Sequence, residues 1–288
     1  MLWIAIRFPW LALEVFETRQ DTDAVVAVEQ NKRILMASKG AQEAGIKAGM
    51  KSALVSSLVE DQRGCDLRRR DPEKEIQVLK HMASWAYSRT PYIQRYQDDT
   101  LLLEVSRCLR LFGGVEALAR ELQGSLNQMS LSYQMGMAHT AKGAWLLSFQ
   151  NHELRDEDSH RVFISRLRAS PLQLLSEQKD AAKGLQKMGL NNLGEVMDLP
   201  GPALGKRFGE AFQNYLRELV GGQEKPPLVY QAKEFFCRQI PFAWPVARTD
   251  LLELPTKKLL QQLVDYLVRQ QLQCQQIQWN FYSAQGDK

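Results

Sequence analysis

RYQDDTLLLEVSRCLRLFGG, residues 95–114, is the stretch on which the reading of this chain turns. Two adjacent acids, Asp98 and Asp99, open an apolar run from Leu101 to Val105 that carries a third acid, Glu104. Gly113 and Gly114 then release the chain into a helical pattern. A strand that delivers adjacent carboxylates to the rim of a sheet is one way to build a two-metal nucleotidyl-transfer site, where the acids share ions that bridge attacking and leaving oxygens. The same pattern describes turn residues ahead of a buried strand, and taken alone it fits that plainer reading better.

Bulk properties set the frame. A chain of 288 residues has room for two domains, or for one with an appendage. With 44% hydrophobic and 24% charged residues it can build a core. The net charge of +4 permits nucleic-acid contact but falls short of a basic footprint. Cys65, Cys108, Cys237 and Cys274 are far apart, with no CxxC pair and no histidine at ligand spacing. That argues against zinc and a disulfide framework, and for a reducing cytosol. The opening MLWIAIRFPWLAL lacks a basic leader and is interrupted by Arg7 and Pro9, so it reads as a buried first strand, not a signal peptide. No run approaches 18 uncharged apolar residues, so no membrane span is expected.

Outward from the central stretch, residues 2–8 read as a strand covered on both faces, ended by Pro9 and followed by a short helix. Residues 24–28 and 33–38 are two strands joined through Asn31, and KGAQEAGIKAGMKSALV reads as a small-residue helix punctuated by Gly45 and Gly49. Residues 63–71, with Arg68, Arg69 and Arg70, read as a basic solvated surface. Asp71 and Pro72 start a helix whose expected buried stripe is Ile76, Leu79, Ala83 and Ala86. Leu118, Leu122 and Leu126 mark the next helix; residues 132–138 are a strand and 141–150 a helix. This order suits an α+β, palm-like sheet with helices on one face.

Beyond a polar stretch at 151–170 the pattern is helical. LQKMGLNNLGEVMDLP is a helix, a tight turn at Gly189 and a second helix that Asn192 can cap. In such a hairpin, backbone amides around Gly189, Asn191, Asn192 and Gly194 can hold a phosphate; a plain αα-hairpin is the alternative. ALGKRFGEAFQNYLREL reads as one further helix with Lys206 and Arg207 near its start. After a Gly221–Pro227 linker come a strand at FFCRQI, a helix over 251–270 and an alternating strand at QCQQIQWNFYS. Two strands and a helix are too small to close a sheet, so a chain truncated within this last domain is expected.

Together these stretches resemble the Y-family (translesion) DNA polymerases, most closely their ImuB-type relatives, over nearly the whole chain. The family's fingers motif resembles ILMASKGAQEAGIKAGM, its palm motif QDDTLLLEVS, and its GIAxNKxxAKxAS helix GMAHTAKGAWLLS. LEVS…LRLFGG and LPGPALGKRFG are similar to the ImuB subgroup. The resemblance implies a ferredoxin-like palm (1–22 and 71–165), small fingers (23–70), a helical thumb (166–224) and an incomplete α/β little finger (225–288). It also implies a bacterial, cytoplasmic, nucleoid-associated protein.

Departures from the family pattern bear on activity. Its first strand ends acid, apolar, acid, aromatic; here the same place reads Arg7, Phe8, Pro9, Trp10. A fixed cation at Arg7 repels divalent ions, and Pro9 offers only a carbonyl. Counting back from Glu104, Asp99 matches the palm aspartate and Thr100 replaces the glutamate; a one-residue bulge would restore Asp98 and Asp99 as the dyad. The fingers tyrosine and arginine that grip the triphosphate fall on Lys39 and Gln42, and the helix lysine on Ala141, with Lys142 one place on.

The leading expectation is thus a non-catalytic homologue with no metal and no cofactor, a DNA-binding adaptor in damage-induced mutagenesis. Thumb amides, Lys206 and Arg207 would contact phosphate. The implied partners are damaged or primer–template DNA, the sliding clamp, a replicative-class error-prone polymerase and a RecA-like accessory protein, with no membrane. The alternatives are an active error-prone polymerase using Asp98, Asp99 and Glu104 with magnesium, and a scaffold that binds only proteins.

Overall fold

The computed structural model describes residues 1–16, 20–55, 64–129, 131–150, 152, 154–155, 160–222 and 229–230, and towards the C-terminus 236, 238–242, 246, 248–270, 272–274, 276–279 and 281. The chain forms two compact units, residues 1–230 and 231–288.

The first unit begins with β1 (Trp3–Arg7) and α1 (Leu11–Glu14). A small lobe follows, made of β2 (Val26–Gln30), β3 (Arg33–Ala37), α2 (Lys39–Glu43) and β4 (Asp66–Arg69). The chain then returns through α3 (Pro72–Ala86), β5 (Ile93–Tyr96), β6 (Thr100–Glu104), α4 (Leu109–Phe112), α5 (Val115–Leu126), β7 (Gln134–Ala138) and α6 (Ala141–Ser148). The main sheet has the order β5-β6-β1-β7, with every neighbouring pair antiparallel. Strand, helix, hairpin, helix, strand with that order is the ferredoxin-like arrangement. β1 and β6 are central, which is why both are nearly continuous apolar runs.

Directly paired residues share a face, so Ala5, Leu102 and Gly136 lie on one side of the sheet and Ile4, Leu103 and Met137 on the other. Residues of both sets are buried in one cluster with Leu79 and Ala83 of α3 and Leu118 and Leu122 of α5. The first set is covered by α6, whose backbone lies directly over Gly136. The strand β5 had no sequence signature, because at the sheet edge only Ile93 of its four residues is buried.

The small lobe's sheet has the order β3-β2-β4, with β4 parallel to β2. Asn31 and Lys32 both take positive φ (53° and 60°), which fits a tight hairpin turn between β2 and β3. The helix expected to run through Gly45 stops at Glu43, since Gly45 and Gly49 turn left-handed with φ of 88° and 86°. The stretch read as plain basic surface contains β4, whose four residues are all exposed, so no apolar alternation marks it. On α3 the buried stripe is Glu75, Leu79, Met82, Ala83 and Ala86; Ile76 is only half-buried.

Four further helices complete this unit after α7 (His160–Ala169): α8 (Lys179–Lys187), α9 (Leu193–Met197), α10 (Gly201–Phe208) and α11 (Glu210–Val220). The helix read as continuous through 203–219 breaks at Gly209, which has φ of 88°. Lys206 and Arg207 therefore stand in the last turn of α10, not near a helix start. In the second unit α12 spans Glu253–Gln270, matching the expected helix. The described residues of FFCRQI (Phe236 and 238–240) and of QCQQIQWNFYS (273–274, 276–279 and 281) are not in strands, and the rest of both stretches lies outside the described residues. No helix among the described residues is long and apolar enough to cross a membrane.

Candidate functional site at the palm turn

The β1–β6 pairing runs from Trp3 opposite Glu104 to Arg7 opposite Thr100 without a register shift. No bulge is present to move Asp98 and Asp99 into the strand. They lie in the turn between β5 and β6, where Gln97 takes a left-handed φ of 52° and the Phe8 amide donates to the Asp99 carbonyl at 2.8 Å.

Each acid meets an arginine. The Asp99 carboxylate accepts from the Thr100 hydroxyl at 2.7 Å and pairs with the Arg7 guanidinium at 3.6 Å. Arg7 is largely buried, stacks 4.0 Å from the centre of the Phe149 ring and donates to the Gln134 side chain. Its Nε is buried without a partner. Burial pushes the Asp99 carboxyl above the ordinary range, with Thr100 and Arg7 opposing. The folded chain thus holds that proton more tightly than the unfolded one, and stability from this group is lost as pH rises through its raised range. Burial likewise lowers Arg7, with Asp99 opposing.

Asp98 accepts from Arg70 at 2.9 Å, and the same guanidinium forms a two-pronged pair with Glu75, at 2.6 and 2.8 Å. Glu75 is 3% exposed. Its hydrogen bonds hold Arg70 far above the ordinary arginine range, burial opposing. Arg70 follows β4 and Glu75 lies on α3, so one side chain joins the small lobe to the palm at the mouth of the site. Reading the arginine run as solvated surface missed this. The available signal was Glu75 itself, an acid four residues before Leu79 on a buried helix stripe.

Fixed cations stand beside both palm-turn acids, Arg7 at 3.6 Å from Asp99 and Arg70 at 2.9 Å from Asp98. A two-metal site needs carboxylates free to share ions. Glu104, the third acid of the polymerase alternative, lies four strand residues beyond Thr100, roughly 13 Å away. It is buried and accepts from the amides of Leu2 (3.3 Å) and Ser106 (3.1 Å) and from the Ser106 hydroxyl. Asp98, Asp99 and Glu104 are therefore not one constellation. Among the described residues no three His, Cys, Asp or Glu side chains are grouped to hold a metal ion.

The expected triphosphate-grip positions are turned elsewhere. Lys39 is exposed, facing Asp23 at 3.7 Å and Glu43 at 3.8 Å, and the Gln42 amide donates back to the Ala37 carbonyl at 2.8 Å. Lys142 pairs with Glu218 at 2.6 Å and Glu177 at 3.5 Å, above the Tyr215 ring. Glu177 also accepts from Tyr96 at 2.7 Å and from Gln97.

In the helical hairpin Gly189 is left-handed, with φ of 89°, and Asn192 caps α9 by accepting from the Glu195 amide at 2.9 Å. Three of the four amides proposed for phosphate, those of Gly189, Asn191 and Asn192, are engaged within the hairpin. Gly189 donates to the Gln186 carbonyl and Leu190 to that of Leu185, while Asn191 and Asn192 donate to the Glu195 carboxylate at 2.6 and 3.4 Å. Gly194 packs against Arg168. The reciprocal capping box that Asn192 and Glu195 form is what occupies the amides at the start of this hairpin's second helix. Asn192→Ala should cost about 1 kcal/mol in urea unfolding.

Lys206 and Arg207 are exposed. Lys179, Lys183 and Lys187 are exposed too, at four-residue spacing along one face of α8. A Cβ on Gly184 of α8 would lie 2.9 Å from the Phe208 ring of α10, so these cations stand on neighbouring elements.

Residues 13–148 match the impB/mucB/samB family. The chain is similar to Protein ImuB of two strains of Caulobacter vibrioides, 29% identical over 180 residues that span 62% of this chain and 38% of the relative. It thus spans little more than a third of the length of these curated relatives. Among solved structures it is similar to DinB from Sulfolobus solfataricus, with a TM-score of 0.61 and 16% identity over 80% of this chain and 70% of the other. A Y-family DNA polymerase chimera built on Dbh matches with a TM-score of 0.61 and 16% identity, over 92% and 80%. These likenesses show a Y-family polymerase fold.

Proposed function

We propose that this chain, whose residues 13–148 match the impB/mucB/samB family and which carries a Y-family polymerase fold, is a non-catalytic member of that family that holds damaged or primer–template DNA as an adaptor in damage-induced mutagenesis. One observation carries the reading: both acids at the palm turn are engaged by arginines, Asp98 by Arg70 and Asp99 by Arg7, where a polymerase would present them to metal. The likeness to ImuB supports the setting; a sliding clamp, a replicative-class error-prone polymerase and a RecA-like accessory are the partners proposed for it.

DNA contact would come from the exposed cations of α8 and α10, with the hairpin amides secondary because Glu195 occupies them. Such contact is electrostatic and falls steeply with salt. The test is primer extension with magnesium and with manganese, beside a DNA-binding titration at two salt concentrations. No extension is expected, and binding should weaken at high salt. Lys206→Glu combined with Arg207→Glu should weaken binding about tenfold or more at low salt. Extension abolished by Asp99→Ala would overturn the non-catalytic reading. No DNA binding would leave a scaffold for proteins, which the closed hairpin amides favour.

A further inference from the structure

The palm turn opens into a cleft of about 280 Å³ between β1, β3 and α6. Leu35 and Met36 of β3 form one wall, Trp145 and Phe149 of and beside α6 another. Among the described residues its ionisable lining is one cation, Arg70, against three acids, Glu75, Asp98 and Asp99. Counting Arg7 behind Asp99 still leaves an excess of one negative charge. Both arginines are committed, so among the described residues a triphosphate entering here meets no uncommitted cation of the lining and a like-charged rim. Asp98 is different. Its side chain is 78% exposed, and Arg70 takes only its Oδ2.

A cavity of this size sits near the lower bound of small-ligand pockets and suits one or two large side chains. Apolar walls, an acidic rim and one accessible carboxylate together select an apolar group carried next to a positive charge. We propose that the cleft is a docking pocket for a partner's peptide segment, with an aliphatic or aromatic side chain between Met36 and Phe149 and a neighbouring lysine or arginine on Asp98. The inference rests on the non-catalytic reading, because a working site would place a metal-bound nucleotide in the same space.

The experiment is fluorescence anisotropy with a labelled, amidated Lys-Leu-Phe-Arg peptide, its Glu-Leu-Phe-Glu counterpart, and magnesium dATP as competitor, on the full chain. The basic peptide should bind at least about tenfold more tightly than the acidic one. Asp98→Lys should remove most of that difference with the circular dichroism spectrum unchanged, and Met36→Glu should weaken both peptides. Equal binding of the two peptides, or indifference to both substitutions, overturns the pocket. Displacement by magnesium dATP overturns it too. If primer extension is absent, the pocket alone fails; if it is present, the non-catalytic reading has failed first.

Discussion

Arg70→Ala should lower the free energy of unfolding by about 3–5 kcal/mol, the usual cost of breaking a buried ion pair from one side. The loss comes from what remains: Glu75, 3% exposed on the inner face of α3, would keep a charge with its two guanidinium bonds gone. Asp98 and Gln30 lose a donor as well, but they are closer to solvent and contribute less. Urea unfolding monitored by circular dichroism measures the change. Pairing Arg70→Met with Glu75→Leu should restore most of it, because removing both charges removes the stranded one. Arg70→Lys should not, since an ammonium cannot make the two-pronged contact. A loss below 1 kcal/mol in the single variant would mean that Glu75 reaches water.

Gly136→Ala should be as damaging for a steric reason. A Cβ on Gly136 would stand 2.2 Å from the Ser148 amide nitrogen and 2.4 Å from the Ala144 carbonyl oxygen. These are backbone atoms of α6 and of its final turn, with no rotamer to change, so the helix has to lift off β7. That separation opens the layer beneath Trp145, Leu146 and Leu147, all buried. Overpacking a filled core costs 1–3 kcal/mol, and rigid backbone puts this case at about 3 kcal/mol or more. Thermal unfolding is the readout. Gly124→Ala, on the open face of α5 where a Cβ meets nothing, is the control and should not destabilise.

Much of the palm was legible from residues because burial and periodicity agree there. β1 and β6 are apolar runs, and Asp71 and Pro72 announce α3. What stayed hidden had no such agreement. β4 is exposed along its whole length and β5 buries only Ile93, so neither shows an alternating face. The break at Gly209 was hidden by good helix formers on both sides. At the site, Arg7 in place of an acid was visible from its position in β1. The grip of Arg70 on Asp98 was not, since it joins side chains 28 residues apart across a turn whose shape depends on the left-handed Gln97. Glu195 is the instructive case: Asn192 was visible as a cap, but the acid three residues on decides whether the hairpin amides are available.

The turn 97–99 is held on both sides, by Arg70 from the small lobe and by Glu177 from the helical region. Among the described residues the small lobe's main buried cluster is Ala27, Ile34, Ala37, Ala41, Ile46 and Val55, much smaller than the palm's. Fastened through Arg70, its strands gain protection from the palm and belong to the same cooperative unit. Its amides therefore exchange with solvent through the opening that exposes the palm, and cutting the Arg70 contact would let the lobe fray alone.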